Sequence, residues 1–89
     1  MINIQLLECD CNKYYIHKID ENIDDIDWLR LYRPLKVIEK IENVTNEDYY
    51  VKKYMKIYGI DNVRGGTYSD VFLSSWQMDS LEFADNIYN

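Results

Sequence analysis

Lys52, Lys53, Lys56 and Arg64 are the cations whose spacing could do chemistry: three lysines end a predicted helix, and the arginine precedes Gly65-Gly66. Such a group can contact a phosphate; as a solvated face, the lysines would also complement the negative end of the helix dipole. Cys9, Cys11 and His17 are the soft metal ligands, but a structural zinc site takes four such groups and the chain has two Cys and one His. A bridge between Cys9 and Cys11 would be strained and would close almost no loop, so both read as reduced thiols of an intracellular protein. His17 alone reads as a surface or hydrogen-bonded histidine. Glu47 and Asp48 fall in the first turn of the predicted helix, a favourable place for any carboxylate, and Tyr15 sits in a predicted strand, where tyrosine usually packs.

The elements that must position these groups belong to one small domain. The chain has 89 residues, 47% hydrophobic and 15% aromatic, enough for a single dense core without metal or disulfides. Its net charge of -6 opposes tight, nonspecific binding to nucleic acid. The acids Glu8, Asp10, Asp20, Glu21, Asp24, Asp25 and Asp27 load the first third, away from the lysines, so a local phosphate contact stays compatible with the sequence. No apolar run has the length of a membrane span or a signal-peptide core, and the chain reads as soluble. Abundant Ile, Asn, Lys, Tyr and Asp match an AT-biased genome, such as a viral one.

Ile2, Ile4 and Leu6 alternate with polar residues, the pattern of a half-buried strand over residues 2–9. Residues 13–19 form a second strand, joined to the first as a hairpin. Residues 20–27 are acidic and read as a loop or a single helical turn. Trp28, Leu29, Leu31 and Tyr32 anchor the chain before Pro34, and residues 35–42 form a third strand. A helix is predicted from Thr45, its N-cap, to Tyr58, with Tyr50, Val51, Tyr54, Met55 and Tyr58 on its apolar stripe. Gly59 suits a left-handed helix end, and at least one of Gly65 and Gly66 is expected at positive φ. Ser74 and Gln77 match a capping box ahead of a last helix from about Ser75 to Tyr88, with Leu81, Ala84 and Tyr88 on one face.

The stretch Tyr54 to Ser69, which holds all three glycines, together with Asn12-Lys13-Tyr14-Tyr15-Ile16-His17-Lys18, resembles the GIY-YIG endonuclease superfamily, in particular the short versions encoded by large DNA viruses. The resemblance runs from about residue 3 to residue 77 and includes Trp28-x-x-x-Tyr32-x-Pro34. It implies an α+β fold: a three-stranded antiparallel sheet flanked by helices, spanning residues 1–89 with a shortened first helix region. In that family two strand tyrosines, a helix arginine and a metal-binding glutamate cleave the phosphodiester. Tyr15 matches one tyrosine, and Glu47 matches the glutamate that would hold Mg²⁺ or Mn²⁺. Gln5 stands where the other tyrosine would be, His17 replaces the motif glycine, and Glu21 to Asp27 contains no arginine.

A metal carboxylate with one tyrosine and no arginine leaves the developing phosphorane charge uncompensated. The expected function is therefore a catalytically inactive GIY-YIG-like domain, without a cofactor, that binds a protein partner or forms a homodimer. Its surplus aromatic residues suit such contacts. One alternative is a metal-dependent DNA endonuclease, with Tyr15 and Glu47 catalytic and Lys52, Lys53, Lys56 and Arg64 on the nucleic acid. A second is an acidic protein that occupies the nucleic-acid-binding surface of a partner. No membrane association is expected, and a viral source would place the protein in the host cytoplasm or nucleus.

Overall fold

The computed structural model describes residues 1–81 as an α+β fold built on a four-stranded mixed sheet. β1 (Ile2–Cys9) and β2 (Lys13–Lys18) form the expected antiparallel hairpin, with Cys9 opposite Lys13 and Gln5 opposite His17. The three-residue link takes positive φ at Cys11 (62°) and Asn12 (58°), which turns the chain sharply enough for immediate pairing. β3 (Pro34–Val44) runs antiparallel to β1 on its other side, with three register shifts along the pair.

The fourth strand departs from the expected three-stranded sheet. β4 (Val63–Gly65) pairs parallel with β2, so the strand order is β3, β1, β2, β4. Three residues are too short to show a period, and the Gly65-Gly66 pair reads as a turn. The missing Cβ at Gly65 is what lets the pairing form. A Cβ on Gly65 would lie 2.8 Å from both Ile16 Cβ and the Ile16 carbonyl oxygen. Gly65 (φ 148°) and Gly66 (φ 51°) both lie at positive φ, as the sequence required of at least one of them.

Because β1 is central, both of its faces are covered. Ile4 and Leu6 join Ile16 of β2 against Val51, Tyr54 and Met55 of α2 (Glu47–Tyr58), with Leu81 and Tyr68. Leu7 and Cys9 join Tyr15 against Ile26, Trp28 and Leu29 on the opposite face. The alternation Ile2, Ile4, Leu6 marked only the first of these layers. The acidic stretch contributes one 3₁₀ turn, Ile23–Asp25, and leads into α1 (Asp27–Leu31), five residues that carry Trp28 and Leu29 inward.

The N-cap of helix α2 lies one residue past the predicted one: Asn46 caps the helix, without a side-chain cap bond, and Thr45 lies outside. The helix ends at Gly59 with φ 103°, as its position suggested. Tyr54 donates a hydrogen bond to Glu39, tying α2 to β3. The capping box holds: Ser74 N–H donates to Gln77 Oε1 at 2.7 Å and Gln77 N–H to Ser74 Oγ at 3.4 Å, opening α3 (Ser75–Ser80). The rest of the predicted last helix, with Ala84 and Tyr88, lies outside the described residues. Among the described residues no helix is long and apolar enough to cross a membrane.

Candidate functional site

Tyr15 is carried inward by β2 and is only 1% exposed. It packs with Leu7, Ile26 and Trp28, and burial, then the charges of Glu21 and Glu47, raise its phenol well above the usual tyrosine range. It lines a cavity of about 150 Å³ shared with Glu21, Asp25, Asp27, Ser69 and Asp70. A phenol meant to lose its proton near neutrality needs the opposite surroundings, a nearby cation or a hydrogen-bond donor. Three of those acids, Glu21, Asp25 and Asp27, belong to the first-third cluster, but nothing in their local spacing placed them beside Tyr15.

Glu47 opens α2, and its side chain turns back toward the sheet, where Lys18 Nζ stands 3.8 Å from Oε1. Its other oxygen, Oε2, is buried without a hydrogen-bond partner. Burial raises the Glu47 carboxyl; Lys18 pulls it down, and Asp48 and Glu21 push it up. Asp48, its neighbour, accepts from both the N–H (2.9 Å) and the hydroxyl (2.7 Å) of Thr67, clamping the glycine turn onto the helix start. Gly66 makes this possible, since a Cβ there would collide with Asp48 Oδ1.

The orphaned Oε2 is the feature that would welcome a metal, yet the donor set around it does not suit one. The same carboxylate already faces the Lys18 ammonium through Oε1. Among the described residues no three His, Cys, Asp or Glu side chains converge as ligands. A hard divalent cation wants several oxygens, so no catalytic step is drawn through Mg²⁺ or Mn²⁺ at Glu47.

The two positions that depart from the family motif meet each other. Gln5 and His17 face one another across the hairpin, and Gln5 Nε2 lies 2.9 Å from His17 Nδ1. His17 Nε2 lies 2.7 Å from the Glu21 carbonyl oxygen, which can only accept, so Nε2 carries the proton and Nδ1 accepts from the Gln5 amide. His17 is 3% exposed, which decides between the surface and hydrogen-bonded readings in favour of the second.

Arg64 parts company with the lysines. It is 5% exposed, and its guanidinium donates to the carbonyls of Ile60, Val63, Asp70 and Val71 at 2.6–3.1 Å. The group also lies 4.6 Å from the Trp28 ring centroid. It thus ties the loop after β4 to the α1 layer, and burial lowers its pKa. Lys52, Lys53 and Lys56 stay together on α2 beside Tyr49, around a shallow depression of about 260 Å³. Lys53 sits 5.3 Å over the Tyr54 ring, and Lys52 is 5.8 Å from that of Tyr68. Cys9 is buried, its thiol pushed up to about 11 by burial and then by Asp10 and Glu8, whereas Cys11 is exposed.

No protein-family model, curated protein or solved structure matches the chain.

Proposed function

We propose that the chain is a GIY-YIG-like scaffold that has given up phosphodiester cleavage and serves as an interaction module, self-associating through β3. Strand β3 carries this reading. It is an eleven-residue strand at one edge of the sheet, and Leu35, Val37 and Ile38 along it are each more than 40% exposed. An edge strand offers unpaired N–H and C=O groups, and apolar side chains beside them favour pairing with a second strand. The internal pairing of Gln5 with His17, and the engagement of Arg64 with four carbonyls, support the loss of cleavage.

Light scattering over a concentration series tests the reading. The wild-type chain is expected as a dimer, and Val37→Lys and Ile38→Lys, which place charge on the edge, as monomers of unchanged circular dichroism. A wild-type monomer at every concentration would remove self-association. One observation favours a second reading, the metal-dependent nuclease: the unpartnered Oε2 of Glu47. Incubation with DNA and RNA in Mg²⁺ or Mn²⁺ is expected to give no turnover. Cleavage abolished by Glu47→Ala or Tyr15→Phe would establish the nuclease instead.

A further inference from the structure

Two outward surfaces of the chain carry opposite charge over matching lengths. On α2, Lys52, Lys53 and Lys56 with the exposed Tyr49 wall a depression of about 260 Å³. The run from Lys52 to Lys56 covers about 6 Å of helix axis, and the alkyl stems beside the tyrosine ring give the depression an apolar floor. The second surface is the 3₁₀ turn Ile23–Asp25, also about 6 Å long. Its backbone is fixed: Asn22 Oδ1 accepts from the Asp24 N–H at 3.0 Å, and Arg30 Nε donates to the Asp24 carbonyl at 3.0 Å. Ile23, Asp24 and Asp25 are all exposed on it, and among the described residues neither aspartate is in an ion pair.

We infer that the lysine depression of α2 receives the acidic turn of a second copy of the chain, with Ile23 entering between the lysine stems beside Tyr49 and with Asp24 and Asp25 against Lys53 and Lys56. Within one chain the two surfaces do not meet. Helix α2 packs on one face of the sheet, and the residues that follow the turn, Ile26, Trp28 and Leu29, pack on the other. The contact is therefore heterologous, and repeated from copy to copy it extends beyond a dimer. A nucleic acid is the poorer occupant, because a strand longer than the lysine run meets the excess acid of a chain with net charge -6. A turn that holds its charge on two adjacent residues meets no such penalty. β3 takes no part, so this contact goes beyond the edge-strand pairing and each can fail alone.

Two measurements test it. Light scattering of the wild-type chain is expected to show species larger than a dimer at ~20 mM salt that are gone by ~300 mM, where exposed charges are screened. In the second measurement, the ¹⁵N-labelled chain carrying Lys53→Glu and Lys56→Glu is titrated with unlabelled chain carrying Asp24→Lys and Asp25→Lys. Each variant keeps one half of the contact, so neither extends alone. Their mixture is expected to form a single contact, read as saturable shifts at the amides of Ile23, Asp24 and Asp25. Unlabelled chain carrying Lys53→Glu and Lys56→Glu, added instead, is expected to leave those amides unmoved. Ile23→Ser in the labelled chain is expected to weaken the contact about fivefold. Circular dichroism identifies a reversed chain that fails to fold, in which case the wild-type salt series decides. A wild-type chain no larger than a dimer at low salt, shifts centred elsewhere or equal in the control, or capture of a single-stranded oligonucleotide that Lys53→Glu with Lys56→Glu abolishes would each overturn the inference.

Discussion

Gln5 and His17 are cross-strand partners joined by a 2.9 Å hydrogen bond, at the two positions where the resemblance to the GIY-YIG family calls for a tyrosine and a glycine. An imidazole in place of glycine needs an acceptor for one nitrogen and a donor for the other. The Glu21 carbonyl supplies the first and the Gln5 amide the second. The two departures from that resemblance are one exchange of hydrogen bonds across the hairpin.

The exchange predicts coupling. His17→Ala leaves the Gln5 amide and the Glu21 carbonyl without their partner and is expected to cost about 2–3 kcal/mol. Gln5→Leu, which removes only the amide, should cost about 1 kcal/mol. In a double-mutant cycle by urea unfolding, an interaction energy of about 1 kcal/mol is expected. Simple additivity would show that the pair is adjacent but not coupled.

The glycine turn predicts a ranking. Gly66→Ala meets a carboxylate that can rotate away at the cost of its Thr67 bonds, whereas Gly65→Ala meets the Ile16 backbone of a paired strand. The first is expected to cost about 1–2 kcal/mol and the second about 3 kcal/mol or more. Thermal melting of the two variants checks the order. A Gly65→Ala protein that melts like the wild type would mean that β4 does not pair with β2.

Arg64 is expected to tolerate no replacement, lysine included. An ammonium carries three donors on a flexible stem and cannot reproduce a planar fork that reaches four carbonyls while lying against Trp28. Arg64→Lys should lose about 2–3 kcal/mol, and Arg64→Met at least as much, since carbonyls are then buried unpaired. For a domain of this size that is a fall in melting temperature of roughly 10 °C or more. Small shifts in both variants would show that the loop folds without the guanidinium.

These positions mark how far local pattern reaches. The β1 to β2 hairpin, β3, α2 and the Ser74 capping box were legible because each rests on alternation, helical spacing or a short capping signature. β4 was not, because its pairing with β2 is non-local and depends on a missing Cβ at Gly65. The second core layer was hidden in β1 as well: Leu7 and Cys9 follow Leu6 so closely that they blur the alternation instead of announcing a second face. The Gln5 and His17 contact had a usable signal. A three-residue link pairing Cys9 with Lys13 brings residue 5 opposite residue 17 by counting outward along the hairpin. Arg64 had none, since its carbonyl partners come from separate turns.

Glu47 predicts a pH dependence of definite sign. Burial raises its folded carboxyl above the unfolded value, which is about 4.3 for a glutamate. A group held more protonated in the fold destabilises the fold once it ionises. The stability it allows is therefore complete below the unfolded value and is lost as pH rises through the folded one. Glu47→Gln keeps the shape and removes the charge, so it should melt higher than the wild type at pH 7. The gap should close as pH falls below about 4, where both side chains are neutral. Lys18→Met should act oppositely at pH 7, because it strips away the ammonium, 3.8 Å from Oε1, that pulls the Glu47 carboxyl down. A Glu47→Gln protein that melts lower than the wild type at pH 7 would show that the ionised carboxylate is held favourably. That outcome would also revive the view of Oε2 as a waiting ligand.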